Sequence, residues 1–207
     1  MVLFKKILKW TGIILGSAFV ILVIVRAFYF YNLDKTNEQV EIIHATKLQL
    51  SDVMGENLPP DPGELADKTV AGVDANRNGI RDDVELAIFA KYPNSAKTRA
   101  VLLQYALALQ MQFTQPIINT TTATEVITEL SRADTCIADV LVPRKSLESS
   151  REYSDIEKIN TFIEFVENEQ LNTNSRQKAE EDFYKYLRSY GDSTNEVCDI
   201  DISELKN

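Results

Sequence analysis

The sequence is poor in the side chains on which most enzymes depend. It has one histidine, one tryptophan, two cysteines, three methionines and seven glycines in 207 residues. A lone histidine, His44, leaves no imidazole to pair with a nucleophile in the body of the chain and no zinc spacing. The two cysteines do not form a C-x-x-C pair, so catalytic thiol redox chemistry has no motif here. The glycines form neither a nucleotide-binding loop nor a G-x-S-x-G elbow. Three methionines, one of them the initiator, are too few for an adaptable target-gripping groove. Internal repeats of fixed period and long low-complexity tracts are also absent.

Charge is unevenly placed. The chain carries 22 basic and 31 acidic side chains, yet the first 33 residues hold only Lys5, Lys6, Lys9 and Arg26. The 174 residues that follow keep 18 basic and 31 acidic groups, a formal charge of −13. Such a body repels phosphate backbones, so nucleic acid is not an expected partner.

An apolar run occupies the amino-terminal region. Residues 10–25 carry no charge, and continuing through Arg26 to Tyr29 gives about the 20 positions a helix needs to cross hydrocarbon. Lys5, Lys6 and Lys9 precede it, which places the amino terminus in the cytoplasm and the body on the far side. Trp10 at one end and Phe28, Tyr29, Phe30 and Tyr31 at the other suit the two interfaces. Arg26 lies near enough to a helix end for its guanidinium to reach head groups. A cleaved signal peptide shares the basic start and apolar middle, but here no A-x-A-like site follows and bulky aromatics fill that place. The reading is an uncleaved single-pass inner-membrane anchor, with membrane contact through residues 10–30 and the carboxyl-terminal body in the periplasm.

In an oxidising compartment, Cys136 and Cys198 are expected to form one disulfide that fastens the tail to the helix carrying Cys136. The alternative is two buried free thiols.

The expected domains are an anchor over 1–33, a juxtamembrane stalk over 34–57 and a helical body over 58–207. Val40, Ile43 and Lys47 have helical spacing, which fits a continued membrane helix as well as a stalk. Leu58-Pro59-Pro60-Asp61-Pro62-Gly63 breaks any helix, because proline removes amide donors and extends its predecessors. Five helical patterns follow. The first begins at Asp82 and stops before Pro93. The second, about 96–114, is apolar around almost its whole circumference, which marks a central buried helix. The third has a capping-box signature at Thr122 and Glu125 and ends at Pro143. The fourth repeats the signature at Ser154 and Glu157. The fifth carries Ala179, Phe183, Leu187 and Tyr190, with Gly191 past its end. Ile200 and Ile202 are too few for a strand. The fold class is therefore all-α: a transmembrane helix followed by a bundle of about five helices.

Chemistry concentrates in one stretch, residues 72–85. Counting Asp74 as position one puts oxygen-bearing side chains at positions one, three, five, nine and twelve, namely Asp74, Asn76, Asn78, Asp82 and Glu85. Gly79 stands at position six, and every specified position of D-x-[DN]-x-[DN]-G-x5-E is filled. A cation of calcium's size takes six to eight oxygens, and alternate residues of a curled loop point inward. The candidate metal ligands are Asp74, Asn76, Asn78, the backbone carbonyl of Ile80, Asp82 directly or through water, and Glu85 with two oxygens.

This stretch resembles an EF-hand calcium loop, and is most similar to the single-loop variants of thrombospondin type 3 repeats and dockerin modules, in which the loop precedes one helix. The resemblance implies bound Ca2+ as cofactor. Arg81 stands at position eight in place of the apolar residue that couples paired EF-hands, and residues 68–72 carry no helical stripe. Leu58-Pro59-Pro60-Asp61-Pro62-Gly63-Glu64 together with the loop also resembles a group of uncharacterised membrane-anchored bacterial proteins, which implies a Gram-negative periplasm. The metal-free alternative is a turn at Asn78-Gly79 with Asp82 capping the next helix and Glu85 as its partner.

The functional expectation is a non-enzymatic, calcium-stabilised helical module for binding or structure, with a protein partner of unspecified identity. Two alternatives remain. One is a carboxylate-dependent cell-wall hydrolase using acids among Glu164, Glu167, Glu169, Glu180, Glu181 and Asp182, although such runs usually cover solvated helix faces. The other is a calcium-responsive sensor.

Overall fold

The structure is a computed structural model, and it describes residues 1–146, 149–188 and 196–206. It is all-helical, with no strand among the described residues. The elements are α1 (Val2–Ala45), α2 (Leu50–Met54), a 3-10 turn (Gly63–Leu65), α3 (Asp82–Lys91), α4 (Ala96–Thr114), α5 (Thr120–Leu141), α6 (Tyr153–Gln170) and α7 (Asn174–Tyr184).

Two compact units divide the chain, Met1–Gln39 and Val40–Asn207. The first is the greater part of α1. Its apolar side chains, among them Leu3, Trp10, Leu22 and Leu33, are exposed, and it is long and apolar enough to cross a membrane, a property shared with signal sequences.

The second unit is the body, and it begins earlier than the patterning suggests. Of the 34–57 segment expected as a stalk, residues 40–57 belong here, because Ile43, Leu48 and Val53 are buried in the core. α1 continues without a break to Ala45, and a short α2 follows. His44, the lone histidine, meets Glu125 through Nε2 at 2.9 Å.

α4 is the axis of the body. Every residue from Thr98 to Gln112 is buried, and the helix packs against α2, α3, α5, α6 and α7. Ser95 caps its start by accepting from the Thr98 amide at 3.1 Å, and it ends at Gln115 before Pro116. Ringed by neighbours, α4 needs no polar face. Its buried glutamines instead join it to irregular chain: Gln104 donates to the Val197 carbonyl and accepts from the Asp199 amide, each at 3.0 Å.

Two helix starts differ from the expected boxes. α5 is capped at Asn119, whose side chain accepts from the Thr122 amide at 3.2 Å, while the Thr122 hydroxyl accepts from the Ile118 and Asn119 amides. Asparagine outranks threonine as a cap, so the helix starts one turn earlier than Thr122 and Glu125 imply. α6 begins after Glu152, whose amide donates to Asp155 at 3.2 Å, two residues ahead of Ser154 and Glu157. α7 ends at Tyr184, with Leu187 packed beyond it; Tyr190 and Gly191 lie outside the described residues.

Cys136 of α5, fully buried, is bonded to Cys198 with a Cα–Cα distance of 5.2 Å across 62 residues of sequence. The tail is held beside it by Arg132, which donates to the Glu196 and Val197 carbonyls and pairs with Glu129 and Asp199. The loop-entropy contribution of a bridge of this span is about 4 kcal/mol. The Cys136→Ser/Cys198→Ser double variant should accordingly lose about 4 kcal/mol in urea unfolding and melt about 10 °C lower. An unchanged urea midpoint would show that the polar anchors alone fix the tail.

Candidate metal centre

The loop of residues 74–85 is positioned by what comes before and after it. Asp82 opens α3, and its amide donates to the Val73 carbonyl at 2.8 Å, which closes the loop at its base. Within the curl, Arg77 and Gly79 have positive φ, 61° and 86°. At Gly79 the conformation favours glycine, and a Cβ there would also come within 2.7 Å of Leu107 on α4, so only glycine fits without repacking.

Side chains alternate as the spacing predicts. Asp74, Asn76 and Asn78 are half-buried, whereas Ala75 and Arg77 between them are exposed. Asp74 accepts from the Asn78 amide at 3.2 Å and the Gly79 amide at 3.0 Å, and Asn78 accepts from the Ile80 amide at 2.9 Å. Glu85 reaches back one turn from within α3, and its Oε2 accepts from the side-chain amides of Asn76 at 3.0 Å and Asn78 at 3.1 Å. Asn76 also donates to the Asn57 carbonyl at 3.0 Å, which seats the proline-rich segment's start on the loop. Ile80 is fully buried, and its side chain belongs to the core.

Asp82 does not cap α3. That position is Arg81, and the Asp82 carboxylate faces the loop, accepting from the Ala75 amide at 3.0 and 3.2 Å. Glu85 is likewise turned to the loop and makes no reciprocal contact with Asp82 of the capping-box kind.

The electrostatics are unbalanced. Asp82 is 0% and Glu85 1% exposed, and among the described residues no Lys, Arg or His pairs with Asp74, Asp82 or Glu85. Burial pushes the Glu85 carboxyl up to about 7, against the two asparagine amides that favour its charged form. Burial also raises Asp82, opposed by the Ala75 amide and reinforced by Asp74 and Asp83.

Does this donor set fit a hard cation? Among the described residues, no group of three or more His, Cys, Asp or Glu side chains stands close enough together to hold an ion. Two of the five loop donors are asparagines, and each presents Nδ2 to Glu85. Both amides are held as they stand, since Asn76 Nδ2 also serves the Asn57 carbonyl and Asn78 Oδ1 accepts from the Ile80 amide. A set of oxygens alone, the chemistry calcium takes, requires both amides to turn by half a rotation and those contacts to be remade. An ion bound here would be held through Asp74, Asn76, Asn78, the Ile80 carbonyl, Asp82 and Glu85.

Arg81, at the position where paired EF-hands have an apolar residue, has a different job. It is fully buried, pairs with Asp83, and donates to the Gln170 carbonyl at 3.0 Å and the Glu169 carbonyl at 2.6 Å. Those are terminal carbonyls of α6, which have no partner within the helix and carry its negative dipole end. Gly72, with φ 71°, is fixed by this arrangement, since a Cβ would overlap the Arg81 side chain. On the other flank Arg176 of α7, also fully buried, donates to the Ala66, Thr69 and Val70 carbonyls and pairs with Asp67. The loop's flanks are thus anchored to α6 and α7. Sequence reasoning noted Arg81 only as a departure; its charge at an apolar position was the available signal. Arg176 offered none.

The acids of the hydrolase alternative scatter. Glu164 and Glu181 are exposed, and Asp182 pairs with Lys178 and Lys185. Glu167 and Glu180 are half-buried: Glu167 accepts from the Tyr105 hydroxyl at 2.9 Å, and burial followed by Glu167 raises Glu180.

Replacing Arg81 with Met should cost about 3 kcal/mol of stability, because two helix-end carbonyls and Asp83 lose a buried partner. Chemical denaturation measures this, and hydrogen exchange should rise first at α6's last turn. No family model, curated protein or solved structure that was compared with this chain matches it.

Proposed function

We propose that the chain is a single-pass inner-membrane protein whose body is a calcium-stabilised helical module in a Gram-negative periplasm, serving as a binding or structural element. The observation that carries the calcium part is the pair of buried carboxylates, Asp82 and Glu85, turned into a loop of inward oxygen donors with no ion-pair partner among the described residues. Burying a charge without compensation is costly, and a divalent ion supplies the missing charge.

The compartment follows from separate features. Lys5, Lys6 and Lys9 ahead of the apolar helix favour a cytoplasmic amino terminus. A disulfide between Cys136 and Cys198 suits an oxidising space. The anchored loop supports a static ion over a sensor, since Arg81 and Arg176 tie both flanks to neighbouring helices.

Two asparagines in the donor set lower its charge, which places the affinity on the order of 10⁻⁴ to 10⁻³ M. At a tenfold excess of calcium the stabilisation is about 1.4 kcal/mol, a rise of about 4 °C in melting temperature. Calorimetry on the full chain in detergent should show one saturable site at millimolar calcium. Asp74→Ala and Glu85→Gln should abolish both the heat and the melting shift. Folded wild-type protein that gives neither response would overturn the calcium reading.

A further inference from the structure

Away from the loop, residues of α4, α5, α6 and α7 line a half-open cleft of about 300 Å³. Its walls are of two kinds. Ile127, Leu130 and Ile163 make an aliphatic surface, and Asp134 and Glu167 place carboxylates beside it. Tyr105, 4% exposed, forms the inner end and donates its hydroxyl proton to Glu167 at 2.9 Å.

The cleft's carboxylates form no ion pair of their own. Among the described residues no Lys, Arg or His forms an ion pair with Asp134, Glu167 or nearby Glu180. Arg151, whose field draws Asp134 down, pairs through one Nη with Asp139 at 2.7 Å, and its Nε is buried with no hydrogen-bond partner among the described residues. Burial raises Asp134, and Glu167 adds to it against the opposing pull of Arg151; burial followed by Glu167 also raises Glu180. Burial together with Glu167 pushes the Tyr105 hydroxyl well above the usual phenol range, so Tyr105 stays a donor and holds Glu167 in place.

The shape and the charge together restrict the occupant. An anion would worsen the repulsion, and a neutral sugar would leave it standing. A small hydrated metal ion would satisfy the carboxylates and waste the aliphatic wall. An alkyl chain bearing ammonium groups uses both: the methylenes lie on apolar surface and each head meets a carboxylate. We propose that this cleft binds an aliphatic polyamine, with its ammonium groups on Asp134 and Glu167 and its methylenes against Ile127, Leu130 and Ile163.

The probe is 1,4-diaminobutane, titrated calorimetrically into the full chain in detergent with calcium held at saturation throughout. One saturable site is expected. Asp134→Asn and Glu167→Gln should each weaken it at least tenfold, n-butylamine should bind at least tenfold more weakly than the diamine, and Glu164→Gln on the exposed face of α6 should change nothing. Ser131→Lys, which lines the same cleft and keeps both acids, should abolish binding by supplying an internal ammonium, and its melting temperature reports that it is folded. Absence of saturable heat, equal binding by the Asp134 and Glu167 variants, or full binding by folded Ser131→Lys would overturn the proposal. So would calcium displacing the diamine from this cleft in a Glu85→Gln background, which would make it a simple inorganic cation site.

Discussion

Placing Asp82 and Glu85 within the first turn of α3 and then covering both is the constraint around which the body's irregular half is arranged. The helix amino terminus offsets part of the cost, because its dipole favours negative charge there. Donated hydrogen bonds from Ala75, Asn76 and Asn78 offset more. What these leave is two carboxyls beneath the surface, both raised by burial, under a curl whose glycine at 79 lies close against Leu107 of α4.

The long stretch from Gly55 to Arg81 contains almost no regular structure, which raises the question of where its carbonyls find donors. Within it a buried guanidinium serves three, Arg176 taking Ala66, Thr69 and Val70; other irregular chain is served alike, by Arg99 at Val53, Tyr92 and Pro93 and by Arg132 at Glu196 and Val197. A forked cation with five donors can serve several carbonyls that do not line up, which a single lysine cannot. Gln110 works on the same principle with an amide, reaching Ala71 while accepting from Gln170. In a chain of net negative charge, these few arginines are inside and not on the surface.

Local order was legible and long-range order was not. The bounds of α4 follow from an unbroken apolar circumference between Ser95 and Pro116, since a cap and a proline are local signals. The inward alternation of Asp74, Asn76 and Asn78 followed from spacing alone. The starts of α5 and α6 were misplaced because two residues in each place could cap, and the choice between Asn119 and Thr122 depends on which side chain turns back. Ile43, Leu48 and Val53 share no single period, being split between the end of α1, a turn and α2, so their common burial left no pattern. Tyr105 and Glu167 are 62 residues apart, and Arg176 lies 110 from Ala66; contacts of that kind come only with the packing of α4 against α6 and α7.

The bridge between α5 and the tail has a bearing on how the chain reaches this state. Two cysteines admit a single internal pairing, so oxidation cannot scramble the connectivity, and no reshuffling is needed to correct it. The partners are so far apart in sequence that α6 and α7 must both emerge before the second thiol does. Until that moment Cys136 has no mate in its own molecule. The one wrong disulfide between copies of this chain is therefore a bond to a neighbour's thiol, a hazard that grows with the concentration of unfinished chains.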